Sequence, residues 1–438
     1  MFDLPKYGDG VCLARMAELL DALAVDRARL ACVSVVVTGS NGKGSTAAFC
    51  AGIGHAYGLR TGLFTSPHLY RFNERFQVDG APIGDDDLAR LVSRIGVAIA
   101  TVSARRKKHF GAFEAMFALA CLYFQESECD FAVFEAGIGG RYDPVRLVGA
   151  LTTCVTSLDY EHVELLGHTL ELIASDKSDA CASSGTIVYG ENCRSLRSYL
   201  AEYNRNRDVR NLFVRDQIGI GSESVSAVGQ YFDFQFGACD FRKLEMNLKG
   251  GFQFNNAAIA VTLFLLWLRR VRPGEAAGRI EAAVRSGLRA VSWPGRLELI
   301  KQDPLTVIDV GHTPDGIRQS LASLTAIYGA EDWILVIGVS RDKNTEEIVS
   351  ALAPSFDTIV CTMARHKGTD AGSIAAAVRK ANPAASVHVA ATIADAVAIS
   401  HRLAASQNRK IYAAGGLFLA IEYSVVANGG RAQDLTFF

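Results

Sequence analysis

The stretch Val33–Thr46, VSVVVTGSNGKGST, decides how this chain is read. Four of its first five residues are valine, and such a run without polar alternation reads as a buried strand from Val33 to Val37. Glycines then interrupt the chain, and a helix is expected from about Ser45. Gly39, Gly42 and Gly44 permit positive φ and a close approach of ligand oxygens. The amides of Ser40, Asn41 and their neighbours can line one concavity, backed by the positive end of the helix. Lys43 supplies a charge for β- and γ-phosphates, and Ser45 and Thr46 add hydroxyls. The spacing still departs from the common phosphate loop G-x-x-x-x-G-K-[ST]. Counting back from Gly42-Lys43, its first glycine would fall on Val37, and its Ser or Thr is Gly44. An ordinary strand-to-helix turn is the competing explanation. A lysine between two glycines, after a valine-rich strand, favours a nucleotide.

Length and composition frame this loop. The chain has 438 residues, 49% of them hydrophobic, which exceeds the usual limit for one core and leads to the expectation of two domains. A formal net charge of -1 gives no electrostatic case for nucleic acid or an anionic membrane. The opening residues MFDLPKYGDG lack the basic and apolar regions of a signal peptide. The longest apolar run, Ala257 to Leu268, covers twelve residues, too few to span a bilayer, and reads as a buried helix. Ten cysteines without a C-x-x-C pair suit a reduced compartment. A cytoplasmic, monomeric protein is the expectation.

Further strand ends carry polar residues: FAVFEAGIGG (Phe131 to Gly140) and LTTCVTSLDYEH (Leu151 to His162). Alternation between Gly221 and Leu248 predicts a small antiparallel sheet, followed by a helix from Asn255 to Arg270. A second series of strand-and-turn units follows Trp293-Pro294-Gly295: LTVIDVGHTPDG, WILVIGVSRDKN, TIVCTMARHKG and RKIYAAGGLFLA. Strands alternating with helices argue for parallel sheets, twice over, with ligands at the carboxyl ends of the strands. The expected fold is therefore α/β with two domains. Residues 1–293 would form a P-loop-type parallel-sheet ATPase domain with a small antiparallel sheet, and 294–438 a Rossmann-like α/β domain.

The loop TGSNGKGST resembles that of the Mur ligase superfamily, and its Gly44 is the form seen in folylpolyglutamate synthases and dihydrofolate synthases. Other motifs resemble that family in its own order: TSPHL (Thr65 to Leu69), NERFQVDG (Asn73 to Gly80), FEAGIGGRYD (Phe134 to Asp143), DYEHVELLGHTLELIASDK (Asp159 to Lys177), GGFQFNNAA, WPGRLE, DVGHTPDG and VSRDKN. The resemblance runs from Tyr7 to the YAAGG segment at Tyr412. It implies an ATP-dependent ligase that transfers the γ-phosphoryl group to a substrate carboxylate and joins the acyl phosphate to the amine of glutamate or another amino acid. The acceptor would be a pterin or other aromatic carboxylate, in folate and one-carbon metabolism.

The same resemblance implies the site. Ser66, Glu135, His162 and Lys177 would hold magnesium, two ions in all, with Lys177 carbamylated. Lys43, His162, Lys177 and Arg296 would be catalytic. Gly39 to Thr46, Gln253, Asn256, Arg296, Asp309 and His312 would surround the nucleotide, and Lys343 would lie near the amino acid or phosphate. Read without the family, Ser66 is a turn residue, Lys177 a solvated lysine beside Asp176, Arg296 a linker cap and Asp309 a turn former able to accept from ribose hydroxyls.

Four positions depart from the family pattern. Pro144-Val145-Arg146 replace A-T-N, Asp309-Val310-Gly311-His312-Thr313 replace D-G-A-H-N, Phe252 stands for a histidine, and Glu161 for the aspartate before His162. Arg146 either suits a more acidic or smaller acceptor or is a neutral surface change. Phe110, Phe113 and Phe117 form either a stacking wall for an aromatic acceptor or plain core. Two other functions remain open at this stage: an amide ligase for a non-folate carboxylate, and an inactive nucleotide-binding subunit. Retention of Lys43, Ser66, Glu135, His162 and Lys177 argues against the second.

Overall fold

The computed structural model describes Leu4, Gly10 and residues 12–107, 109–227 and 229–437. Tyr7, where the resemblance begins, lies outside them. Eight strands form the first sheet: β1 (Ser34–Thr38), β2 (Thr61–Phe64), β3 (Phe76–Val78), β4 (Ala81–Pro82), β5 (Phe131–Glu135), β6 (Thr152–Val155), β7 (Thr186–Tyr189) and β8 (Arg210–Phe213). Their order is β4-β3-β2-β5-β1-β6-β7-β8. The six strands from β2 to β8 pair in parallel, and β3 and β4 add an antiparallel edge.

The valine run lies at the centre of this sheet because both its faces are covered. Val35 and Val37 join one apolar core with Phe131 and Val133, while Val36 joins another with Ala132 and Phe134. Helices Lys43–Ala56, Phe252–Val271 and Ala277–Ala290 cover the first face, and Leu13–Ala22, Asp85–Arg106 and Ala112–Glu126 the second. The strand begins one residue later than the valines suggest, since Val33 closes the helix Arg27–Val33. The helix after the glycines begins earlier than expected, at Lys43. Gly42 turns the chain in a single left-handed step at φ 85 and so leaves Lys43 as the first helical residue.

The expected small antiparallel sheet consists of β9 (Gly219–Val225), β10 (Gln230–Phe236) and β11 (Cys239–Met246), in the order β11-β10-β9. Its inward phenylalanines, Phe232, Phe234 and Phe236, complete the first core against the helix Phe252–Val271. That helix is three residues longer at its start than predicted and carries the apolar run Ala257 to Leu268 inside the protein. Among the described residues no helix is long and apolar enough to cross a membrane. All ten cysteines are free.

The third sheet contains β12 (Glu298–Gln302), β13 (Leu305–Ile308), β14 (Trp333–Ile337), β15 (Thr358–Cys361), β16 (Ser386–Val389) and β17 (Lys410–Ala414), ordered β12-β13-β17-β14-β15-β16. Only the β12–β13 pair is antiparallel. The protein is thus a two-domain α/β fold. The carboxyl ends of β1, β5 and β6 in one domain and of β13 in the other carry the polar residues singled out in the sequence.

One helix crossing fixes how the first helix sits behind the glycine loop. A Cβ at Gly287 would lie 2.6 Å from the Cα of Ile53, so the helices Lys43–Ala56 and Ala277–Ala290 meet backbone to backbone. Gly287→Ala should cost about 1–3 kcal/mol by overpacking and lower the thermal unfolding midpoint. Gly278→Ala, which meets nothing within 4 Å, should leave it unchanged or higher.

Candidate active site

Strand register builds the site. Val37 lies opposite Glu135 on β5, and Thr38 opposite Val155 on β6. The three strands therefore deliver Gly39, Glu135 and Thr156 to one edge. The glycine loop is tied to the end of β6 by a set of hydrogen bonds. Ser40 N donates to Ser157 O at 2.9 Å, Asn41 N to Ser157 Oγ at 2.8 Å, and Thr156 Oγ1 to Asn41 O at 2.6 Å. Ser157 Oγ donates to Asn41 O at 3.0 Å, and Asp159 N to Ser40 Oγ at 3.0 Å. Gly39, at φ 135, could hold no side chain, because its Cβ would fall 1.9 Å from Thr156 Oγ1. At Gly44 a Cβ would press on the Trp293 indole at 3.1 Å. That contact explains why glycine stands where the common loop has Ser or Thr.

Lys43 bends back over the loop, with Nζ donating to Gly39 O at 2.8 Å and Ser40 O at 3.2 Å. Beneath the loop, Gln253 Nε2 donates to Ser45 Oγ at 3.3 Å and Asn256 Nδ2 to Gln253 Oε1 at 2.9 Å. Asn256 also fills the space a Cβ at Gly42 would need. Both side chains are buried, so they brace the loop from behind.

Glu135 is 3% exposed and accepts from Ser66 N at 3.0 Å. Burial lifts its carboxyl to about 7, against the pull of Lys43, the Ser66 amide, Arg296 and Arg75. On the far side of β6, Lys177 is buried in the helix Leu170–Ser178, and its Nζ contacts Glu161 Oε1 at 2.6 Å. Burial pushes the Lys177 amine down while Glu161 resists. Burial works against the Glu161 carboxylate as well, but Lys177 and Lys43 hold it down at about 2. His162 heads a one-turn helix at φ 45 and is exposed. The loop Gly137 to Asp143 packs onto the Lys177 helix. Asp176 Oδ1 accepts from Gly140 N at 2.8 Å, and Asp143 Oδ2 accepts from Gly137 N and Ile138 N at 2.9 and 3.1 Å. A Cβ on Gly139 or Gly140 would strike Asp176 or the carbonyl of Lys177.

The second domain faces the loop with cations. Thr313 caps the helix Pro314–Tyr328 and reaches Asn41 Oδ1 at 3.3 Å. Arg296 makes no hydrogen bond or ion pair among the described residues, yet it acts electrostatically on Glu135, Asp309 and His312. Lys343 has only a 3.9 Å contact to Asp342 and acts on His162 and His312. Asp309 is bonded within its own loops, in line with the turn-former reading of its sequence position. It is buried, with Oδ1 accepting from Gly311 N and Ser320 Oγ and Oδ2 from Leu297 N. Its carboxylate shapes the loops that present Arg296 and His312.

Of the three aromatics considered as a stacking wall, Phe110 and Phe117 are core residues. Phe113 is partly buried against Gly137 and the ring of Phe64 at 5.9 Å. Arg146 is exposed, and its Nη1 donates to the carbonyl of Arg141 at 3.0 Å. Thr156, Ser157, Asp143, Asp176 and Arg75 were given no role in the sequence reading, although all lie inside the quoted motifs. Only those places could have flagged them.

Among the described residues no three His, Cys, Asp or Glu side chains converge as a preformed metal site. The donors still fit magnesium, a hard ion that takes one or two carboxylates, substrate phosphates and waters. Glu135 is a carboxylate whose burial an ion would offset, and Ser66 lies beside it. Two buried atoms near the loop, Thr46 Oγ1 and Asp159 Oδ2, have no partner. The arrangement can hold a polyphosphate between a ring of amides and three cations.

Comparison with known proteins agrees with this geometry. A family profile described as "Mur ligase, glutamate ligase domain" matches residues 295–416. The chain is 29% identical over 348 residues to the dihydrofolate synthase/folylpolyglutamate synthase of Bacillus subtilis, covering 79% of this chain and 80% of that protein. It is 31% identical over 324 residues to the folylpolyglutamate synthase of Lacticaseibacillus casei, 74% of each. It is also similar to the solved structure of Mycobacterium tuberculosis folylpolyglutamate synthase complexed with ADP and AMPPCP, with a TM-score of 0.84, 26% identity and 93% of each chain covered.

His312 reports on the cations. Burial, with Lys343, Arg296 and Lys43 nearby, pushes its imidazole down to about 4. An anionic nucleotide that neutralises those cations must raise this value. His312 ring protons followed by NMR should therefore titrate near pH 4 in the free protein, and at higher pH with ADP. By linkage, metal-free ADP should then bind more tightly as pH falls through that interval.

Proposed function

The chain belongs to the folylpolyglutamate synthase and dihydrofolate synthase family, and from that premise we propose that it joins glutamate to a pterin-type carboxylate. It is an ATP-dependent ligase that forms a C–N bond. The site assignment is supported by Lys43, Arg296 and Lys343, from both domains, all acting on His312, next to the Thr313 hydroxyl that reaches Asn41 of the glycine loop. Residues 1–293 would form the ATP-binding domain and 294–438 the ligase domain, in a cytoplasmic monomer.

A carboxylate and an amine do not condense at neutral pH without a leaving group better than hydroxide. In our reading the amides of Gly39 to Ser45 hold the β-phosphate, and Lys43 leaves the carbonyls of Gly39 and Ser40 for the β- and γ-oxygens. Arg296 stabilises the charge that develops as the γ-phosphoryl group moves to the acceptor carboxylate. The amine of glutamate then attacks the acyl phosphate, and phosphate leaves. Ser66, Glu135 and His162 would hold magnesium, with Lys177 serving a second ion. Magnesium supplies charge neutralisation on the phosphates. Gln253 and Asn256 keep the loop in place from behind, and the two domains exclude water from an intermediate that hydrolyses easily.

Lys177 takes part as a carbamate in this proposal. Its amine must lose a proton before carbon dioxide can add, and burial favours the neutral form. The new carbamate would face Glu161 as a like charge, so a cation must lie between them. Intact mass spectrometry in bicarbonate should accordingly find the carbon dioxide adduct with Mg2+ and ADP and little without them. An unmodified mass under both conditions would refute it.

A second reading, a non-folate acceptor, draws on one observation. Pro144 and Val145 are buried in a short turn where the family has A-T-N, and Arg146 leaves a cation on its rim. Purified protein should form ADP with tetrahydrofolate or dihydropteroate plus glutamate, and a product heavier by one glutamyl residue. Lys43→Ala should lower that rate by about a hundredfold or more. Silence with both pterins and turnover with another carboxylate would select the second reading.

A further inference from the structure

The loop after β2 carries two buried side chains that the proposed reaction does not use. His68 is 2% exposed and Arg75 4%. His68 Nε2 lies 2.7 Å from the carbonyl of Thr436. A carbonyl can only accept, so Nε2 carries the proton and Nδ1 is left as an acceptor. Arg75 Nε donates to that Nδ1 at 2.8 Å. The hydrogen bonds thus run in one direction, from Arg75 through His68 to the backbone near the chain's end.

Both ends of this relay are anchored. The Phe437 ring stacks parallel to His68 and packs against His366 and Phe418 of the second domain. Tyr70 Oη donates to Ser424 Oγ at 3.3 Å, and Leu69 packs against the Ile308 and Val310 cluster. At the other end, the Arg75 carbonyl accepts from Thr65 N at 3.1 Å, and the next amide, Ser66 N, donates to Glu135. The Arg75 guanidinium and the Glu135 carboxylate also attract each other. A segment of the second domain therefore grips the loop bearing Ser66 and orients the cation beside Glu135.

We infer that residues 435–437 act through His68 and Arg75 as a positioning strap for Ser66 and Glu135, which makes divalent-cation binding depend on the placement of the second domain. The inference rests on the reading of Ser66 and Glu135 as metal ligands. Supporting groups behind metal ligands typically contribute ten- to a hundredfold in affinity. A merely structural strap would instead weaken nucleotide and metal binding together.

The test uses the full chain, Mn2+ as the probe (followed by electron paramagnetic resonance) and ADP titrated calorimetrically without metal. His68→Ala and a chain stopped after Asp434 should bind Mn2+ about tenfold more weakly in the presence of ADP, with metal-free ADP affinity unchanged. His68→Asn, which keeps an acceptor for Arg75 but cannot reach the Thr436 carbonyl, should weaken Mn2+ binding as the shortened chain does. Phe437→Ala loosens the strap without opening the buried pair, and should weaken Mn2+ binding if the other variants do not fold. Wild-type Mn2+ affinity in the variants, or an equal loss of metal-free ADP binding, overturns the strap alone. A wild-type protein that binds ADP but no Mn2+ overturns the reading of the metal ligands as well.

Discussion

Everything at the site depends on the contact between Gly39 and Thr156. The backbone of one strand end passes the next so closely that a Cβ at Gly39 would fall 1.9 Å from Thr156 Oγ1. That approach lets Thr156 and Ser157 take up the carbonyl of Asn41 and lets Ser157 receive its amide. The loop's outward amides are left for a ligand, and its inward groups are satisfied. A side chain at position 39 would separate β1 from β6 at the point where the helix dipole, the lysine and the carboxylate meet.

The fold was legible wherever hydrophobic periodicity was simple. Val35 to Val37 announced a strand covered on both faces, and the alternating phenylalanines of Tyr231 to Phe236 announced an antiparallel one. Boundaries shifted where a single residue changed the backbone. Gly42 completed its turn in one left-handed step and brought the helix start forward to Lys43, which no count of apolar residues could reveal. Asp309 could be read two ways for a related reason. An acidic residue at a strand end can face a ligand or bind its own loop, and only tertiary contacts with Leu297, Gly311 and Ser320 decide between them. Arg75 and His68 were invisible as a pair, because their partner lies more than 350 positions away in the chain.

The two domains divide the work by charge. The first supplies a concavity whose own lysine donates to the loop carbonyls of Gly39 and Ser40. The second supplies Arg296, which has no carboxylate partner among the described residues, and Lys343, whose contact to Asp342 is 3.9 Å long. Mutual repulsion among cations is tolerable while solvent screens them, and it becomes attraction to a common anion once a triphosphate lies between them. Burial is the main cause of the low value of His312, and that unneutralised field lowers it further.

The Glu161–Lys177 pair answers a different problem. Two opposite charges buried together need each other, because removing either leaves the other unpaired in a poor solvent. Here they join the strand end after β6 to the Lys177 helix at 2.6 Å, and Gly139 and Gly140 let the neighbouring loop close over that helix. A change in the charge of Lys177 therefore cannot remain local. In the proposed reaction, converting the amine to an anion would break the pair and create a demand for a cation beside Glu161, on which Lys43 also acts. Metal, lysine and glutamate would then be parts of one electrostatic balance, which a nucleotide would shift from an internal ion pair to a bound ion.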